Sequence, residues 1–118
     1  MNMRSLAFVI AVGAVIQSGV AVSAQAVSDW GHILWFETGW AVDSMSVMLD
    51  VPQVDPTDAT GAKCPITNAG YALDPQDPGL KAHEAAIMGA YFAGKRVRIR
   101  ADGCVFQKPR IIAVAVQD

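Results

Sequence analysis

Two histidines and two cysteines are the side chains of this 118-residue sequence on which catalysis would first depend. His83 and Glu84 are adjacent in an alanine-rich stretch. Adjacent residues of a helix point in different directions, so the pair cannot act on one substrate atom. His32 lies near three tryptophans, where a packed or edge position is more usual than a general base. No Gly-x-Ser-x-Gly nucleophile motif occurs. The sequence therefore predicts no catalytic residue and a protein that is not an enzyme.

The acidic residues of segment 50–63 raise the question of a calcium site. Asp50, Asp55 and Asp58 fall in this stretch, which is rich in Pro, Asp, Thr and Gly. An EF-hand loop needs acids at alternate positions, a central glycine and a terminal glutamate, and the spacing here fails that pattern. The segment is typical of a long, solvated loop. We therefore predict no metal site and no cofactor.

The first 26 residues have the pattern of a secretory signal peptide. Arg4 precedes an apolar run from Leu6 to Ile16, and small residues end the segment at Val22-Ser23-Ala24-Gln25-Ala26. The apolar run is too short for a transmembrane helix, which needs about 20 residues. We predict a signal peptide over residues 1–26 with cleavage after Ala24 or Ala26, and a single domain over residues 27–118. The mature protein is expected to be periplasmic or secreted, without membrane insertion.

Cys64 and Cys104 are the two cysteines of the sequence. An even number of cysteines in an exported chain predicts a disulfide, because thiols are oxidised outside the cytoplasm. Two lone cysteines without nearby partners do not suggest a metal site. The two cysteines are 40 positions apart, and in the loop-entropy description a disulfide that closes a loop of this length stabilises the fold by about 4 kcal/mol.

Charge is distributed unevenly along the chain. Residues 29–77 hold eight acidic residues against Lys63, a net charge of −7, whereas residues 80–118 have a net charge of +4. Such asymmetry suggests a binding face, a head-to-tail subunit contact, or two halves that neutralise each other within one domain. The domain as a whole is acidic, which argues against nucleic-acid binding, since phosphate neutralisation supplies much of that affinity.

Two groups of side chains are candidates for ligand or partner contact. Arginines recur at alternate positions in the stretch 95–101, and guanidinium groups form paired bonds to phosphate, carboxylate and sulfate. The more conservative interpretation is that they face the acidic half of the chain or another subunit. Tryptophans recur every five residues from Trp30, so they alternate between strand faces, and we expect one or two in the core. The candidate contact residues are Trp35, Trp40, Arg96, Arg98 and Arg100.

These residues must be positioned by a small set of predicted elements. Turn residues and hydrophobic alternation predict strands over 30–37 and 40–49, a loop over 50–63, a short strand at 64–67 or 71–73, a helix over 80–93, and strands over 95–101 and 110–116. Asp77 and Pro78 are expected to start the helix and Gly94 to end it. A turn is expected at Asp102-Gly103. A helix between the third and fourth of five strands predicts a mainly β (α+β) fold, an OB-like barrel with one disulfide; a generic α+β sheet is the alternative.

The C-terminal half also resembles a known group of proteins. The resemblance rests on the helix ending Ala90-Tyr91-Phe92-Ala93-Gly94, the strand Lys95-Arg96-Val97-Arg98-Ile99 that follows at once, Gly103-Cys104, and the closing strand 111–116. This pattern is similar to that of small exported bacterial proteins grouped with the B subunit of subtilase cytotoxin. The resemblance covers about 45 residues and implies an OB-like fold. For the toxin members it also implies a ring of five subunits that binds cell-surface glycans.

The sequence therefore leads to two functional hypotheses. The first is a non-enzymatic, secreted binding protein that recognises a glycan, as an oligomeric subunit resembling the toxin B component. The alternative is a monomeric periplasmic inhibitor or envelope protein that binds a protein partner through the 50–63 loop. The glycan-contacting residues of the toxin subunit do not align position by position with this sequence, so the resemblance assigns no site residue.

Overall fold

The computed structural model describes residue 13 and residues 24–39 and 42–118. Most of the predicted signal peptide, and Trp40, lie outside the described residues. Within them the fold is mainly β, with six strands and one helix. In chain order the elements are β1 (Ala26–Val27), β2 (Gly31–Thr38), β3 (Met45–Leu49), β4 (Tyr71–Ala72), α1 (Leu80–Ala93), β5 (Arg96–Val105) and β6 (Lys108–Gln117).

Five of these strands are linked by pairing into a closed ring. β2 pairs with β3, β3 with β4, β4 with β6, β6 with β5, and β5 returns to β2. The β4–β6 pairing is parallel and the other four are antiparallel. The two longest strands, β5 and β6, form a hairpin along most of their length. The helix lies between β4 and β5 in the chain, as the sequence predicted for the third and fourth strands.

The short strand β1 extends β2 along the same edge of β5. Between the two strands, the Ser28 amide donates to the Ile99 carbonyl, and the Ile99 amide donates to the Ser28 hydroxyl, each at 2.9 Å. Upstream, Ala24 exchanges hydrogen bonds with Thr57 at 2.8 and 3.0 Å. Cleavage after Ala26 would therefore remove the first residue of β1, whereas cleavage after Ala24 would leave the strand whole.

The core lies inside the strand ring and beneath the helix. Alternate residues of β3 and β5 point inward, as the two-residue period of a strand requires. The helix contributes Ile87 and Ala90 to this core, and the Phe36 and Tyr91 rings meet edge to face at 5.2 Å. The buried cluster consists of Ile33, Met45, Val47, Leu49, Tyr71, Leu73, Ile87, Ala90, Val97, Ile99, Ala101 and Ile111. Of the tryptophans, Trp30 is half-buried and Trp35 is exposed, so neither supplies the core position that the sequence suggested.

The helix begins and ends close to its predicted limits, but its start is made differently. Asp77 does not cap it: the Asp77 carboxylate accepts from the Gly79 amide at 2.8 Å in the preceding turn, and Gly79 occupies the cap position. At the other end Gly94 adopts the predicted left-handed conformation, with φ of 66°. No helix in the described part of the chain is both long and apolar enough to cross a membrane.

The largest differences from the predicted strand limits are in β3 and β5. β3 begins at Met45 rather than at residue 40. The predicted turn at Asp102-Gly103 is wrong, because β5 continues to Val105 and the chain reverses at Phe106 and Gln107. Gly103 has φ of 62° and lies where the β5–β6 register shifts, so the glycine serves a strand irregularity and not a hairpin turn.

Candidate functional site

A surface cleft of about 440 Å³ lies at one end of the strand ring. It is formed where the connection between β2 and β3 approaches the hairpin turn between β5 and β6. Its volume is within the range of sites for small organic ligands. The described residues that line it are Glu37, Gly39, Val42, Ser44, Met45, Ser46, Phe106, Gln107 and Lys108.

The turn that forms one wall has an unusual backbone for its sequence. Phe106 and Gln107 both have positive φ, 51° and 65°, between the paired residues Val105 and Lys108. Two positive φ values are the signature of a type I′ hairpin turn, which strongly favours Asn-Gly. A bulky residue in this conformation costs about 1–3 kcal/mol, and such strain concentrates at functional sites. Both residues line the cleft.

Three contacts hold this turn in place from outside the cleft. The Ile66 amide donates to the Gln107 carbonyl at 2.8 Å. The predicted disulfide joins Cys64 to Cys104, two residues before the turn. Pro109 follows the turn and is fully buried. The cleft wall is thus fixed to the segment after the 50–63 loop, which makes it a preorganised surface.

The lining combines apolar area with hydrogen-bonding groups. Phe106 is 48 % exposed and Val42 is 42 % exposed, so both offer apolar surface to a ligand. The Lys108 ammonium lies 3.3 Å from the Ser46 hydroxyl and donates to it. Glu37 adds a carboxylate opposite Ser46 on the β2–β3 ladder. An aromatic ring beside an ammonium donor and a carboxylate acceptor suits a polyhydroxylated ligand, whose hydroxyl groups both donate and accept hydrogen bonds.

Trp35 extends this surface along β2. It lies two residues from Glu37 on the same face of the strand and opposite Met48 of β3. Its side chain is 37 % exposed, and it is not part of the cleft lining. Of the other predicted contact residues, Trp40 lies outside the described residues. The cleft wall at Phe106 and Gln107 was missed by sequence reasoning, because the dipeptide carries no turn signal.

The predicted contact arginines lie elsewhere. Arg96, Arg98 and Arg100 are exposed on the outer side of β5, as the alternation predicted. About six residues separate Arg100 from Phe106, roughly 20 Å along a strand. The structure therefore does not bring the arginines and the cleft together. Arg98 lies over Trp30 and Arg96 lies opposite His32, so the arginines border the N-terminal half of the chain, but within the described residues they form no ion pair with its carboxylates.

The 50–63 loop packs along its own domain. The Val54 amide donates to the Tyr71 hydroxyl at 2.8 Å, and the Gly70 amide donates to the Gln53 side chain at 2.9 Å. Pro56 is fully buried. The Asp58 carboxylate accepts from Thr60 and Ala62, and these bonds, led by the Thr60 hydroxyl, hold the pKa of Asp58 below its usual value. The continuously exposed part of the loop is its tip, residues 59–63.

Relaxing the strained turn is expected to stabilise the protein. In the double variant Phe106→Asn, Gln107→Gly the turn receives its preferred residues, so the unfolding free energy should rise by about 1–2 kcal/mol. Urea unfolding of the oxidised protein measures this change. The exposed substitution Asn68→Ala is the control and should shift the midpoint little. An unchanged or lowered midpoint for the double variant would remove the argument from strain.

Searches of the chain against protein-family models, curated proteins and solved structures find no match.

Proposed function

We propose that the strand ring is an OB-type barrel. Taken in chain order, the five ring strands pair as first with second, second with third, third with fifth, fifth with fourth, and fourth with first. A five-stranded Greek-key closure of this kind, with a helix between the third and fourth strands, is the arrangement that the sequence predicted. OB barrels bind ligands on the face of strands two and three and on the loops between strands one and two and between strands four and five.

The proposed function is non-enzymatic binding of a glycan at the cleft. The observation that carries it is the position of the cleft, which is bounded by the β2–β3 connection and the β5–β6 turn, the two loops that an OB barrel uses. The exposed Phe106 ring offers an apolar face for a sugar, and Ser46, Gln107 and Lys108 offer hydrogen bonds. Trp35 lies further along the outer face of β2, where a second sugar of an oligosaccharide could stack.

The lining supports binding more than glycan hydrolysis. Glycosidases of the common type use two carboxyl groups on opposite sides of the scissile bond. Among the described residues that line the cleft, Glu37 alone carries a carboxyl group. The proposal is therefore a recognition protein, with export and glycan contact as the resemblance to the toxin B subunit implies.

The resemblance also implies a ring of five subunits, and we keep this assembly as part of the proposal. Light scattering of the mature, oxidised protein distinguishes the possibilities. A native mass five times that of the subunit would support multivalent glycan binding. A monomeric mass would turn attention to the alternative, a protein partner at the exposed loop tip, residues 59–63.

A glycan array with the mature, oxidised protein tests the proposed function. We expect signals that Phe106→Ala weakens about tenfold or more, because truncating a key aromatic contact costs about 2 kcal/mol or more and each 1.4 kcal/mol is tenfold. Val116→Ala is the matched control, since Val116 is an exposed apolar residue of β6 that does not line the cleft. No signal on a broad array, or equal signals for wild type and Phe106→Ala, would reject the proposal.

A further inference from the structure

The outer side of β5 carries a row of cations remote from the cleft. Arg96, Arg98 and Arg100 are exposed, whereas the residues between them, Val97 and Ile99, are buried. Alternate residues of a strand are about 6.6–6.8 Å apart, so the Cα atoms of the three arginines form an evenly spaced row. We call this surface, together with Trp30, the arginine face.

The strands beside β5 leave this line open. On β6 the residues opposite the arginines are Gln117, Ala115 and Ala113, and the two alanines are too short to cover a guanidinium group. On the other side, Trp30 lies under Arg98, whose guanidinium carbon is 4.9 Å from the ring centroid. This cation–π contact fixes the direction of the middle arginine while leaving its side chain exposed.

The arginines have few internal partners. Arg96 donates to the Asp118 carbonyl at 3.0 and 3.3 Å, and Arg100 donates to the Gln25 side chain at 3.3 Å. All eleven acidic residues of the sequence fall in the described part of the chain. Their carboxylates form ion pairs only with other groups: His32–Asp50, His83–Asp77, Lys95–Asp118 and Arg110–Asp74. Each guanidinium has five N–H donors, so most of the donors on this face remain available to an external anion.

We propose that the arginine face binds an anionic polysaccharide, a chain that carries sulfate, phosphate or carboxylate groups at regular intervals. A line of guanidinium groups matches a linear polyanion and can bind each anion through paired hydrogen bonds. The two alanines of β6 leave that side of the row uncovered, whereas Val27 and His32 lie opposite Arg100 and Arg96 on the other side. This site is independent of the proposed glycan cleft at the other end of β5.

The same features argue against single-stranded nucleic acid as the occupant. Proteins that bind single strands supply aromatic rings on which bases stack. On this face the described aromatic ring is that of Trp30, and Arg98 lies over it. The net charge of −2 does not distinguish the two polyanions, because within a screening length of about 8 Å the local cations determine the attraction.

Calorimetric titration of the oxidised protein with dextran sulfate, with unmodified dextran as the uncharged comparison, tests this proposal. We expect wild type to bind dextran sulfate and not dextran. The double variant Arg98→Gln, Arg100→Gln should weaken binding at least tenfold. It should also lower the slope of log K against log salt concentration by about 1.5, since each neutralised anionic group contributes about 0.7–0.9. Lys63→Gln, Lys81→Gln is the matched control, because it removes the same charge from exposed positions off the face. It should stay within twofold of wild type.

Three outcomes would overturn the proposal. The first is that wild type fails to bind dextran sulfate at low salt. The second is that the control pair loses as much affinity as the arginine pair, which would indicate unspecific charge attraction. A single-stranded oligonucleotide bound more tightly than dextran sulfate, with the same dependence on Arg98 and Arg100, would replace the polysaccharide with nucleic acid. Circular dichroism of each variant confirms folding. Arg98→Lys, Arg100→Lys keeps the charge and should recover only part of the affinity, because lysine lacks the paired geometry.

Discussion

Loss of the Cys64–Cys104 disulfide is expected to lower the unfolding free energy by about 4 kcal/mol. The bond closes a segment of 40 residues, and its removal restores the corresponding entropy to the unfolded chain. A small domain has a total stability of about 5–15 kcal/mol, so the reduced protein should be close to unfolding at 37 °C. The effect should also be local, because the bond holds the base of the Phe106–Gln107 turn.

Urea unfolding of wild type with and without reductant measures the global effect. The variant Cys64→Ala, Cys104→Ala is the control, since it should match the reduced wild type and show no response to reductant. Hydrogen exchange measures the local effect: in the reduced protein, amides of residues 104–108 should exchange faster than those of α1. Equal urea midpoints for oxidised and reduced wild type would contradict the role assigned to the bond.

Gly70→Ala is expected to destabilise the protein by about 4 kcal/mol. Gly70 precedes β4 with φ of 90°, a backbone conformation that L residues rarely adopt. A methyl group there would also run into the Val47 carbonyl of β3, and this is backbone that cannot rotate away. Left-handed strain costs about 1–3 kcal/mol and overpacking a similar amount. The strand pairing of β3 with β4 should weaken as a result.

Gly89→Ala provides an opposite control within the same chain. Gly89 lies on the exposed side of α1, and apart from its chain neighbours and the adjacent helix backbone no described atom lies within 4 Å of the position that its Cβ would occupy. Alanine in a helix is favoured over glycine by about 1 kcal/mol, so this variant should be more stable than wild type. Thermal or urea unfolding of both variants checks the pair. A Gly70→Ala protein as stable as wild type would show that this turn tolerates a side chain.

Sequence patterns predicted the regular elements well where local chemistry alone decides them. Gly94 ends α1 as predicted, since a left-handed cap requires a residue without a side chain. The alternation over Arg96–Ala101 correctly assigned exposed and buried residues, because a strand with one buried face has a two-residue period. The disulfide between Cys64 and Cys104 was predicted correctly because the sequence contains two cysteines.

The features that the sequence did not predict depend on contacts between distant segments. The hairpin turn at Phe106 and Gln107 has no glycine or asparagine, and it is held by Ile66 and the disulfide, so local preference pointed to Asp102-Gly103. One or two of the three tryptophans were expected in the core, but Trp30 is half-buried with its ring against Arg98, and Trp35 is exposed. The cleft could not be predicted from the sequence because its walls come from two segments, residues 37–46 and 106–108, that lie 60 residues apart.

The central claim is that the cleft beside the Phe106–Gln107 turn is a glycan-binding site. Its most direct test is calorimetric titration of the strongest array glycan into wild type and into the Phe106→Asn, Gln107→Gly variant. The account predicts that this variant is more stable than wild type and yet loses binding at least tenfold, since the strained residues are the ones that contact the sugar. A stabilised variant that binds the glycan as tightly as wild type would contradict the claim.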